Sequence, residues 1–98
     1  MNFAALAARL DEVVAALNVL EQQHQFADIV TWKARKKFVA IDFGTSGTFL
    51  VEKTTGELFN IKSYGVADYN KKQKANIGNI FSVDPAVLYR KRYNYLRR

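Results

Sequence analysis

The feature that most limits what this chain can fold into is its first 27 residues. Phe3, Leu6, Leu10, Val13, Leu17, Leu20, His24 and Ala27 recur at alternating spacings of three and four. That spacing draws one apolar seam along an α-helix, with Phe3, Leu10, Leu17 and His24 at heptad position a. Leu6, Val13, Leu20 and Ala27 fall at d. Asn2 suits an N-cap and the alanines favour helix, so a helix is expected over residues 2–26. Ala7, Val14 and Ala16 widen the apolar face beyond a simple two-stranded zipper.

A seam of this kind has to be covered. Either a second copy or partner helix covers it, or the chain's own sheet does. A helix of 25 residues is roughly 37 Å long, whereas typical strands are roughly 17–20 Å. The overhang favours a homo-oligomer, with Phe3, Leu6, Leu10, Val13, Leu17, Leu20 and His24 as the oligomerisation residues. His24 is the only histidine and the chain has no cysteine. It is therefore read as a polar seam residue that sets register, and no metal or cofactor is expected.

After Ala27 the seam stops and β-branched residues take over. Strands are expected near 28–33, at Phe38–Phe43, at Thr48–Lys53 and at Glu57–Ser63. The basic run KARKK (residues 33–37) reads as the first turn, and TTG (54–56) as a three-residue hairpin loop with Gly56 left-handed. Alternation then predicts Val39, Ile41, Phe49, Val51, Phe59 and Ile61 as sheet core. Residues 64–79 are polar and turn-rich, and Ile80–Val83 reads as a returning edge strand. Asp84 and Pro85 open a last helix as N-cap and first helical residue. The expected fold is α+β: a long N-terminal helix over 1–27, a small antiparallel sheet of four or five strands over 28–83, and a short basic C-terminal helix over 84–98.

The loop in AIDFGTSGTF (40–49) spells like the phosphate loops of sugar kinases and phosphohexomutases. Those sites need several lobes or domains, which 98 residues cannot supply. The loop is read as a strand reversal at Gly44 and Gly47. No set of acids, histidines or hydroxyls resembles a catalytic constellation, so the chain is read as non-enzymatic, with no small-molecule substrate.

Residues 51–59 and 78–80 carry a resemblance. Val51, Glu52, Lys53, Thr55, Gly56, Glu57, Leu58 and Phe59, followed by Gly78, Asn79 and Ile80, resemble a group of short phage-encoded proteins. These share a VEKxTGE-type hairpin, a lysine-containing loop and a Gly-Asn-Ile segment. The resemblance implies a phage origin and a small β domain, and it carries over no catalytic residue. It places the protein in the cytoplasm of an infected host cell or within a virus particle. Two sequence features agree with a soluble protein. No run approaches the roughly 20 apolar residues of a membrane span, and the N-terminal stretch lacks the basic start of a signal peptide.

Charge gives the functional expectation. The net charge is +6 and it is unevenly placed. Residues 1–31 carry −3, 32–37 carry +4, 38–60 carry −2 and 61–98 carry +7. Three basic clusters stand out: Lys33, Arg35, Lys36 and Lys37; Lys71, Lys72 and Lys74; and Arg90, Lys91, Arg92, Arg97 and Arg98 with Tyr93 and Tyr95 among them. Arginine binds phosphate bidentately and tyrosine stacks on bases. These residues are expected to bind nucleic acid, another polyanion or an acidic protein surface. The alternative is a structural or adaptor role, in a phage particle or a phage–host protein complex, with no nucleic acid involved.

Overall fold

The N-terminal apolar stripe forms α1 (Phe3–Glu21), capped by the Asn2 side chain, which accepts from the Ala4 N–H at 2.8 Å. This computed structural model describes residues 2–23, 27–63, 66–67 and 76–96; side chains are described over 2–23, 27–45, 47–60 and 78–91. Six strands follow: β1 (Val30–Ala34), β2 (Phe38–Phe43), β3 (Ser46–Glu52), β4 (Glu57–Ser63), β5 (Val66–Ala67) and β6 (Asn76–Asn79). The chain ends with α2 (Pro85–Leu96). The α+β fold is as the sequence leads one to expect.

All pairings are antiparallel. β1, β2, β3 and β4 lie side by side in chain order, and β4 also pairs with β6 near its start and β5 near its end. One face of the sheet meets the helices. There Leu6, Leu10, Val13 and Leu17 of α1 and Leu88 of α2 join Val30, Val39, Ile41, Phe43, Phe49, Val51, Leu58 and Ile80 in one buried cluster. The two helices and the sheet therefore share this core.

This arrangement corrects the seam. Leu6, Leu10, Val13 and Leu17 are each 0% exposed within one copy of the chain, so they face its own sheet and are closed to a partner helix. The expected overhang is absent because α1 stops at Glu21. Its 19 residues span about 28 Å, close to the length of the longer strands. Glu21 itself is buried and turned inward, where its carboxylate accepts from the Asp28 N–H at 3.1 Å and the Tyr89 hydroxyl at 2.8 Å. Of the other seam residues, Phe3 is half-exposed, Leu20 is partly buried and Ala27 is exposed. His24 lies outside the described residues.

The β3–β4 hairpin brings a second correction. The loop runs over Lys53–Gly56, one residue longer than expected, with the Gly56 N–H donating to the Glu52 carbonyl at 2.8 Å. Val51 then pairs with Leu58 and Leu50 with Phe59. A one-residue change in register moves every side chain of a strand to the other face. Leu58 therefore takes the core position given to Phe59. Phe59 joins Ala40, Leu50 and Phe38 in a smaller cluster on the opposite face, its ring 6.1 Å from that of Phe38. The Ile61 side chain is outside the described ones. Val39, Ile41, Phe49 and Val51 are core, as their alternation indicates.

Other boundaries shift by small amounts. Lys33 and Ala34 belong to β1, and the turn is Arg35–Lys37. The β2–β3 reversal needs only Gly44 at positive φ (63°); Gly47 sits within β3 beside a register shift. The returning strand is Asn76–Asn79, while the next residues turn: Ser82 and Val83 N–H both donate to the Asn79 carbonyl. At α2 the Asp84 carboxylate accepts from Ala86 N–H at 3.0 Å, so the expected cap is present.

Candidate functional site

The two ends of the sheet are chemically different. At one end lie the Arg35–Lys37 and Lys53–Gly56 turns, held side by side by a bond from the Lys53 N–H to the Lys37 carbonyl at 3.1 Å. The start of α1 joins them. The Phe3 ring stands edge-on to Trp32 at 6.4 Å, and the Lys53 ammonium lies 5.7 Å from its centroid. Phe3 is 46% exposed, which leaves it partly available above this contact.

Lys33, Arg35, Lys36 and Lys37 are all exposed, and Lys53 is partly so. The ammonium of Lys37 lies 5.5 Å from the Phe38 ring. The salt bridge Arg9–Glu12 involves none of Lys33, Lys36, Lys37 and Lys53. This end thus combines five basic side chains with three aromatic rings, Phe3, Trp32 and Phe38, which suits a polyanion with exposed rings or bases. The Trp32 ring is held by its own N–H, which donates to Asp11 at 2.9 Å.

The other expected basic residues are elsewhere. Arg9 donates to the Ile80 and Val83 carbonyls, both at 2.8 Å, fixing α1 beside the chain that leads into α2. Farther along the same helices, Glu21 meets Tyr89, and Tyr89 lies 6.4 Å from Phe43. The two helices therefore run in the same direction, from the basic turns towards the Gly44 end. Arg90 and Lys91 follow Tyr89 and are exposed at that far end. The structure places Lys33, Arg35, Lys36 and Lys37 at the same end of the sheet as Lys53, on both of its faces, and separates them from Arg90 and Lys91. Lys71, Lys72, Lys74, Arg97 and Arg98 lie outside the described residues, as do the side chains of Arg92, Tyr93 and Tyr95.

Several polar residues that hold this frame were missed in the sequence. Asn18 clamps the start of β1 by donating to the Val30 carbonyl at 3.0 Å and accepting from its N–H at 2.8 Å. Lys53, read as a strand residue, belongs to the basic end. Glu21 had a usable signal, because it continues the stripe one turn beyond Leu17. Among the described residues no cluster of three metal-ligating side chains occurs, and no helix is long and apolar enough to cross a membrane.

Compared with protein-family models, curated proteins and solved structures, the chain matches none of them.

Proposed function

We propose that this chain is a non-enzymatic binding protein whose basic sheet end engages single-stranded nucleic acid. The observation that carries this reading is the joining of two turns. It sets the turn that carries exposed Lys36 and Lys37 beside the turn that carries Lys53, whose ammonium lies near the half-exposed Phe3 ring. Cations supply phosphate contacts and the ring supplies a stacking face, the two parts of a sequence-tolerant single-strand site. The setting we propose, a phage particle or an infected cell, rests on the hairpin resemblance alone. Self-association through the α1 seam is not part of the reading, because the seam is inside the fold.

The test is a salt titration with a single-stranded oligonucleotide, read through the fluorescence of Trp32, the only tryptophan, which lies at this end. Affinity is expected to fall steeply with salt. Lys36→Glu with Lys37→Glu is expected to reduce the log–log salt slope by about 1.4, from two lost phosphate contacts at about 0.7 each. A slope unchanged by that double substitution would remove the basic turns from the site.

A further inference from the structure

We infer that the outer edge of β1 accepts an extended acidic peptide as an added antiparallel strand. The Arg35 N–H donates to the Phe38 carbonyl at 2.8 Å and the Gly44 N–H to the Ile29 carbonyl at 2.9 Å. Residues 29 and 35 therefore direct their backbone groups at β2, and with the continuous register between them so do Thr31 and Lys33. Val30, Trp32 and Ala34 must direct theirs outward. Val30 is already served, since both its groups bond the Asn18 side chain. The N–H and C=O groups of Trp32 and Ala34 form no hydrogen bond among the described residues, and Ala34 and Lys33 are exposed. Among the described residues the edge of β1 is thus blocked by Asn18 at one end and open over Trp32–Ala34 at the other.

Charge decides what fits this edge. A second copy pairing antiparallel through Trp32 and Ala34 would match Trp32 with the partner's Ala34. That register sets Lys33 directly opposite its own counterpart, in a non-hydrogen-bonded pair where side chains are closest. Like charges so placed are destabilising, and an edge lysine commonly guards against this self-pairing. A strand with Asp or Glu opposite Lys33 turns the same contact into an attraction. Exposed Arg35, Lys36 and Lys37 continue the positive field beyond the end of β1. Main-chain bonds from the open edge supply affinity and the carboxylate supplies selectivity, as in other strand-addition complexes. Nucleic acid offers no matching strand, so this edge is distinct from the phosphate contacts proposed above.

The test uses the full chain, labelled with nitrogen-15, and a soluble peptide of alternating Val and Glu. Amide shifts are expected to centre on Trp32 and Ala34. Ala34→Pro removes an outward N–H while leaving the β1–β2 bonds intact, since proline is tolerated where an edge N–H faces solvent. It is expected to weaken the peptide by about tenfold, the equivalent of one backbone bond, and to leave oligonucleotide binding unchanged. Lys33→Glu is expected to transfer preference to a Val/Lys peptide, which keeps the proposal testable should the proline variant not fold. Three results would overturn it: peptide shifts centred away from β1, a folded Ala34→Pro chain that binds the peptide as the parent does, or Lys33→Glu without a change of preference. So would an oligonucleotide whose binding, rather than the peptide's, is lost in Ala34→Pro.

Discussion

Three side chains on α1 do more for this fold than their polarity suggests. Arg9, Asn18 and Glu21 each reach a segment distant in sequence: the lead into α2, the start of β1, and both the approach to β1 and Tyr89. Glu21 is 4% exposed, so its hydrogen bonds are shielded from water. A buried acceptor that loses its donor keeps the desolvation cost of burial. Tyr89→Phe removes the hydroxyl donor and is expected to cost about 1.5–3 kcal/mol, the usual range for a bond to a charged group. Urea denaturation of the two chains measures it, with a lowered midpoint and an unchanged slope as the expected outcome. If the midpoint is unmoved, the Tyr89 bond contributes nothing net.

Elements show what was legible and why the rest was not. Helix α1, strand β2 and the Asp84–Pro85 start of α2 follow from local patterns, namely apolar spacing, β-branching and capping chemistry. The face of β4 depended on one loop residue, and a count of Thr54–Gly56 against Lys53–Gly56 decides whether Phe59 or Leu58 enters the core. The basic turn was legible as charge. The open edge of β1 was not, because it depends on the parity of backbone bonding, which side-chain types do not encode. The two halves of the hairpin resemblance turn out to be one unit. The Ile80 N–H donates to the Gly56 carbonyl at 2.8 Å, the Asn79 side chain donates to the Thr55 carbonyl at 2.9 Å, and Leu58 pairs with Gly78. These residues build a turn and its clamp. Gly56 has φ of 77°, and a Cβ there would lie 3.0 Å from Asn79 Oδ1 and 3.1 Å from the Phe81 ring. Gly56→Ala is therefore expected to lose about 1–2 kcal/mol through the left-handed backbone alone. A thermal melt should show a drop of about 4–8 °C per kcal/mol for a domain of this size.

At the scale of the molecule, the decisive question is where the α1 stripe is spent. A heptad seam and a sheet-packing stripe share their residues and differ in what a charge placed there does. At an intermolecular seam, aspartate at Leu10 and Leu17 leaves each chain folded and separates the copies. In this fold both leucines are fully buried against the sheet, so two carboxylates would enter the core that helices and sheet share. Truncating one buried leucine costs about 2–5 kcal/mol, and an unpaired buried charge adds to that. Against a total stability of about 5–15 kcal/mol for a small domain, Leu10→Asp with Leu17→Asp is expected to unfold the chain. Circular dichroism should show loss of the β signal along with the helix, and Trp32 emission should move to that of exposed indole. A double variant that keeps its sheet spectrum while changing from oligomer to monomer in sedimentation would return the stripe to an intermolecular role. The sheet signal is the discriminating measurement, because an intermolecular seam can be broken without disturbing the sheet, whereas this core cannot.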